Sequence, residues 1–163
     1  MNRIFIDANI FTYFLTNHPR HGEVCVEFME EIEEGKRIGF ISPLVIDEVI
    51  YVLMIQKMKE TTSIRDVAAL KRKMLRDKSI WKDCLNPVEI FFKYIDQLTA
   101  LGNLEILNIE YSTSKIALEI SREHFLFPRD ALHAACCKAH GITNIATNDR
   151  DFERTPWLSV WKP

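Results

Sequence analysis

Arg3-Ile4-Phe5-Ile6-Asp7-Ala8-Asn9 opens the chain on three consecutive apolar residues, two of them β-branched, stopped by an acid. So short an apolar run predicts a buried strand. Ala8 to Leu15 is good helix material, with Phe11, Phe14 and Leu15 on one side, and Pro19 breaks it. Further on, Val24, Cys25, Phe28, Met29 and Ile32 recur at helical spacing, opposite Glu23, Glu27, Glu30, Glu31 and Glu34. Gly35 stops that helix. Ile38 to Ile41 is a second apolar strand, and Ser42-Pro43 supplies an N-cap and a first-turn proline for a helix running to about Lys57.

From Lys57 to Leu101 the pattern is helical throughout, with no strand. Strand candidates return at Leu104–Ile109, Ile142–Thr147 and Leu158–Trp161, separated by helices at Ser112–His124 and Asp130–His140. Strands alternating with helices predict an α/β fold: a parallel sheet of four to five strands, flanked by helices on both faces. The 163 residues fit one domain, 1–163, with 57–101 as a helical insertion within it.

Composition narrows the class. Hydrophobic residues make up 47% and charged residues 27%, which excludes a disordered or fibrous chain. A net charge of −2 gives no general pull towards nucleic acid, so any basic surface is local. Cys25, Cys84, Cys136 and Cys137 have no CxxC spacing and read as reduced, buried residues. His18 with His21, and His133 with His140, lack the partners of a structural zinc site. An acid stands where the apolar core of a signal peptide would lie, and no apolar run approaches the roughly 18 residues of a membrane span. A cytoplasmic protein without membrane contact is expected.

Functional groups of open parallel sheets gather beyond the C-terminal ends of the strands. Asp7 follows strand one, Asp149 follows strand four, Glu48 lies on the helix after strand two, and Asp130 begins the helix leading into strand four. Each has a structural alternative: Asp7 and Asp130 as helix caps, Asp149 as a turn residue. Glu48 fits that alternative least, because Val49, Ile50, Val52, Leu53, Met54 and Ile55 leave its helix little solvated face. If the four converge, like charges at ~4 Å repel by about 4 kcal/mol at an effective dielectric near 20. The cluster then takes up protons or binds a cation. Carboxylates without thiols or imidazoles suit Mg²⁺ or Mn²⁺, and the natural substrate of such a pocket is a phosphodiester.

Phe5-Ile6-Asp7-Ala8-Asn9, Glu48 early in its helix, Pro128-Arg129-Asp130-Ala131-Leu132-His133-Ala134-Ala135, and Thr147-Asn148-Asp149-Arg150-Asp151-Phe152 together resemble the PIN-domain ribonucleases. Their order and spacing are similar to the VapC-type toxins of toxin–antitoxin pairs. The resemblance covers the chain apart from 57–101. It implies a 3-2-1-4-5-like parallel sheet and a Mg²⁺- or Mn²⁺-dependent endoribonuclease that hydrolyses single-stranded RNA with metal-activated water. Such proteins are often homodimeric and are held by an antitoxin partner. By position, Asp7, Glu48, Asp130 and Asp149 are the implied catalytic, metal-binding acids, Asn9 and Thr147 support them, and Asp151 is the alternative fourth acid. The competing expectation is a PIN-like subunit without catalysis that binds RNA or protein. A haloacid-dehalogenase-type hydrolase is disfavoured, because its second acid would stand at position 9, which is Asn.

For holding RNA, the segment Lys57–Lys82 carries nine Lys or Arg against three acids, leaving about −8 on the rest of the chain. Lys71, Arg72 and Lys73 are candidate phosphate contacts, set against a solvated helix face with Val67, Leu70 and Met74 inward. Arg129 and Arg150, each beside a proposed acid, are candidates nearer the chemistry. Trp81, Trp157 and Trp161 are expected in packing rather than in base stacking.

Overall fold

Ile4, Phe5 and Ile6 are buried to within 1% in the computed structural model, which describes residues 2–163. They are the last three residues of strand β1 (Asn2–Ile6), the central strand of a five-stranded, wholly parallel sheet. A strand covered on both faces needs a continuous apolar run, which is what the first residues supply. β2 (Arg37–Ile41) pairs with β1 from Asn2↔Arg37 to Phe5↔Phe40, and β3 (Leu104–Ile106) pairs outside β2. On the other side of β1 lie β4 (Asn144–Ala146) and β5 (Ser159–Trp161), giving the order β3-β2-β1-β4-β5. The strand order therefore reverses between β1 and β4, and a crevice opens there beyond the strand ends.

Among the described residues seven α-helices fill the crossovers: α1 (Ala8–Leu15), α2 (Gly22–Glu33), α3 (Pro43–Thr61), α4 (Val67–Arg76), α5 (Lys78–Ala100), α6 (Tyr111–His124) and α7 (Pro128–Ala139). Gly35 ends α2 at φ +70°, the left-handed conformation that glycine adopts without strain. Gly39 in β2 answers a close approach instead: a Cβ there would sit 2.8 Å from both Ile6 Cδ1 and Leu104 Cδ1. No helix among the described residues is long and apolar enough to cross a membrane. The four cysteines are free and buried.

Several local expectations are corrected. β3 ends at Ile106 rather than Ile109, and β4 is three residues rather than six. Ladder-like bonds still extend past both, from Leu107 N–H to Ile41 O (2.7 Å) and from Thr147 N–H to Trp161 O (3.0 Å). α3 continues to Thr61, and the helical stretch after it breaks between Thr62 and Asp66, where Thr62 is extended and Asp66 caps α4 through the Ala69 N–H at 2.8 Å. Ser42 occupies the N-cap position of α3, but its hydroxyl is buried and makes no cap bond. α7 starts at Pro128 with Phe127 as N-cap, so Asp130 sits in the first turn and is not the cap.

A satellite core of Met58, Leu70, Met74 and Cys84 joins α4 to α3 and α5. The Trp81 indole N–H donates to Met74 O at 2.8 Å and closes this unit, while Trp161 packs on Phe28 at 4.4 Å. Leu→Ala in a packed site costs about 2–5 kcal/mol. Leu70→Ala is therefore expected to speed amide exchange across 67–76 by about thirtyfold or more, leaving β1 amides protected. Equal acceleration in β1 would mean that the two cores open together.

Candidate active site

Asp7 is the residue at which β1 ends and α1 begins, and it serves both. Its Oδ1 accepts the Ala8 N–H at 2.7 Å, capping α1. Its Oδ2 accepts the Asn9 side-chain amide at 2.6 Å and the Thr147 hydroxyl at 2.6 Å. Thr147, fully buried just past β4, in turn accepts the Asn9 amide (3.0 Å) and the Asp149 backbone N–H (3.0 Å). Asn9 Oδ1 accepts the Asn148 N–H at 3.1 Å. The two strand ends that flank the switch point are thus laced together around one carboxylate. Cap and site are the same side chain.

The structure sorts the acids into two adjoining groups. Ligand atoms of Asp7, Glu48 and His133 lie within 4.8 Å of one another, and so do those of Asp130, Asp149 and Asp151. Burial raises the pKa of Asp7, with Glu48 adding to the rise, while His133, the Thr147 hydroxyl and the Ala8 N–H oppose it. Asp130 is pushed up to about 6, first by desolvation and then by Asp149, Asp7 and Asp151, with His133 pulling the other way. The two groups therefore feel one another. Carboxylates crowded this way hold protons unless a cation replaces them.

His133 is the site residue that sequence reading missed. It is 2% exposed, its Nε2 lies 3.2 Å from Glu48 Oε2, and its ring leans on Phe5 at 5.5 Å. The expected donor set without imidazole is corrected accordingly: an imidazole stands beside Asp7 and Glu48. The available signal was its place three residues after Asp130, which puts both on one face of α7. Two carboxylates with one imidazole, next to three carboxylates, still fit a hard or borderline divalent ion such as Mg²⁺ or Mn²⁺.

Asp149 is also the turn residue that its sequence suggested. It caps the 3₁₀ turn Arg150–Arg154 by accepting the Asp151 N–H at 2.8 Å. Asp151 is engaged by the Arg154 guanidinium at 2.5 Å, which leaves Asp149 the freer of the two. Arg129 pairs with Glu48 at 3.4 Å. A cavity of about 290 Å³ opens over Asp7, Asn9, Glu48, Tyr51 and Arg129. Tyr51 and Val52 are exposed, so α3, apolar in sequence nearly all round, turns part of that surface to this opening. The Lys71 ammonium lies 4.8 Å over the Tyr51 ring, which brings α4 to the cavity's rim. Arg72 and Lys73 are exposed on the same helix.

Fold and site define a parallel α/β protein with a carboxylate-lined crevice at its topological switch point. Residues 4–158 match the PIN domain family model, and the chain belongs to that family. Ribonuclease VapC2 of Methanocaldococcus jannaschii is 31% identical over 159 residues, spanning 98% of this chain and 93% of the relative. Ribonuclease VapC6 of the same organism is 24% identical over 162 residues, spanning 99% and 97%. Among solved structures, VapBC2 from Rickettsia felis, bound to a DNA fragment from its promoter, superposes with a TM-score of 0.58 at 18% identity, covering 98% of each chain. FitAcB from Neisseria gonorrhoeae gives 0.56 at 14% identity, covering 97% of this chain and 96% of the other. At those identities the two structures speak for the fold alone.

Proposed function

We propose that this protein is a Mg²⁺- or Mn²⁺-dependent endoribonuclease acting in the cytoplasm as the toxin of a toxin–antitoxin pair, with residues 1–163 as one functional domain. The observation that carries the reading is the pair of adjoining groups, Asp7–Glu48–His133 and Asp130–Asp149–Asp151, with Asp7 bonded by Thr147 and Asn9; Asp7, Glu48, Asp130 and Asp149 are the acids we assign to the metal. Membership of the PIN family and two relatives named as ribonucleases support it. The toxin role rests on those VapC names.

A bound divalent cation supplies Lewis-acid polarisation of the scissile phosphate and an activated water. The chain's own residues prepare for it. Thr147 and Asn9 fix the Asp7 carboxylate against rotation, as supporting hydrogen bonds do around metal sites. Arg129, exposed and paired with Glu48 at 3.4 Å, would be the cation nearest a phosphate oxygen if a metal ion were held beside Glu48. Lys71 extends the positive lining outward along α4. For a second copy of the chain, the proposed surface is the α6–α7 face, where Phe125 and Phe127 are 76% and 73% exposed and Phe125 holds a left-handed φ of 55°. That conformation is the C-cap of α6, where the Phe125 N–H donates to Ser121 O at 3.0 Å.

The test is end-mapping of RNA fragments from purified protein with Mn²⁺ or Mg²⁺ and with excess EDTA. Cleavage at defined bonds that disappears with EDTA is expected, together with growth arrest on expression, relieved by the product of an adjacent small open reading frame. Metal-induced thermal stabilisation without cleavage of any RNA would leave a binding subunit instead.

A further inference from the structure

A second cavity, about 570 Å³, adjoins the carboxylates on the side away from Glu48 and is lined by Asn9, Tyr13, Arg20, His21, Asp149 and Arg150 together with Asn148. Asn9 borders both cavities, so one extended strand can cross from one to the other over Asp7. The wall is organised before any ligand arrives. The Asn148 amide donates to the Tyr13 hydroxyl at 3.1 Å, while its backbone N–H holds Asn9. Tyr13 stacks on His21 at 5.0 Å with the planes 22° apart, and His18 packs beside both at 4.6 and 5.2 Å. His18 Nδ1 accepts the N–H groups of Arg20 and His21 at 3.3 Å, which fixes the loop that carries them.

Arg20 and Arg150 outnumber the one carboxylate, Asp149, in the lining of this cavity. Arg37, Arg129 and Arg154 each face a carboxylate. The guanidiniums of Arg20 and Arg150 are exposed, and among the described residues neither is in an ion pair. Two planar cations, an imidazole–phenol stack and one carboxylate at the inner end make a site for an anion that also carries a flat ring. Arginine forks match phosphate oxygens, and aromatic or imidazole faces accept a nucleobase without reading its edge.

We propose that this cavity is a nucleotide subsite of the ribonuclease: Arg20 and Arg150 grip the phosphate next to the scissile one, and the attached base lies against the His21–Tyr13 stack. The assignment rests on the function proposed above. It makes Arg20, His21 and Arg150 binding residues, and it makes the enzyme dependent on RNA extending beyond the cut on one side.

The experiment uses a single-stranded oligoribonucleotide centred on a bond that the wild type cuts, and its truncations down to the dinucleotide that holds the bond. For Arg20→Ala with Arg150→Ala, KM for the long RNA is expected to rise about tenfold or more, with kcat changed much less. The salt dependence of log(kcat/KM) should flatten by about 0.7 for each phosphate that the variant no longer neutralises. Arg20→Lys with Arg150→Lys should recover part of the loss, and His21→Ala should weaken the long RNA about fivefold by removing a stacking face. Truncation on the subsite side should bring the wild type down to the double variant, which itself falls no further. Both arginines are exposed and, among the described residues, in no ion pair, so matched thermal melts are expected. A double variant that cuts the long RNA with wild-type KM and salt slope overturns the subsite and leaves the ribonuclease reading standing. A wild type that cuts no RNA overturns both.

Discussion

Asp7→Asn is expected to lower metal-dependent RNA cleavage by about a thousandfold, the equivalent of roughly 4 kcal/mol of transition-state stabilisation, while the protein stays folded. Asn is as good an N-cap as Asp, so the bond from Ala8 N–H to the side-chain oxygen survives. Removing a buried charge whose pKa is already raised by desolvation offsets part of what is lost at Oδ2. There the substituted amide can donate but no longer accept, so the Asn9 amide keeps only its bond to Thr147 while the Thr147 hydroxyl rotates. Asp7→Ala is the poorer test. It deletes the cap, worth about 1 kcal/mol, and leaves the buried Thr147 hydroxyl without its acceptor at about 1–3 kcal/mol. Loss of activity in that variant would mix chemistry with unfolding. The informative pair of measurements is fragment end-mapping in Mn²⁺ and a thermal melt, both on Asp7→Asn. A variant that cuts at more than a tenth of the wild-type rate would remove Asp7 from the chemistry.

The double duty of Asp7 explains how much of this site could be read from residues alone. Ile4 to Ile6 announces a buried strand because a central parallel strand has no solvent face to leave a polar residue on. The acid ending it lies at the switch point by topology, not by chance. Asp149 carries a similar signal, since the residues that make a tight turn after a strand are the ones that project into the crevice. Cap, turn and ligand are therefore not exclusive readings of an aspartate. They coincide because the N–H groups that a cap satisfies also fix the carboxylate. What stayed hidden depended on how separate elements meet. His133 looks like any histidine on an apolar helix until the fold brings α7 within reach of α3 at one point and places it 3.2 Å from Glu48. Arg20 and His21 follow Pro19 in what reads as a helix break, and only the stack on Tyr13 and the approach of Arg150 give that loop a site. Strands β3 and β4 are shorter than their apolar runs for a related reason. Their apolar runs continue into segments buried by packing rather than by pairing alone, as Leu107 and Thr147 are.

Asp130→Asn is expected to stabilise the metal-free protein at pH 7.5 and to abolish its stabilisation by Mn²⁺. The sign follows from the raised pKa. Asp130 titrates at about 6 in the folded chain against 3.8 ordinarily, chiefly because burial penalises its charge and Asp149, Asp7 and Asp151 add to the penalty. Between about pH 4 and 6 the native state binds more protons than the unfolded one, so stability falls as pH rises through that window, and the whole cost is present above it. Allowing for partial exposure, the cost is about 1–2 kcal/mol at neutral pH, or about 3–6 °C in Tm for a chain of this size. Asn carries no such charge, so the variant should melt above the wild type at pH 7.5 without metal and level with it at pH 4. A divalent cation reverses the order. At a hundredfold excess over Kd it should stabilise the wild type by about 2.7 kcal/mol, roughly 5–10 °C, and it should do so less as pH drops below about 6, where protons compete for the same carboxylate. The Asn variant should respond little at any pH. Differential scanning calorimetry of both proteins at pH 4, 6 and 7.5, with Mn²⁺ and with EDTA, reads every part of this. Equal Mn²⁺ responses in the two proteins would place the cation away from Asp130, on the Asp7–Glu48–His133 side alone.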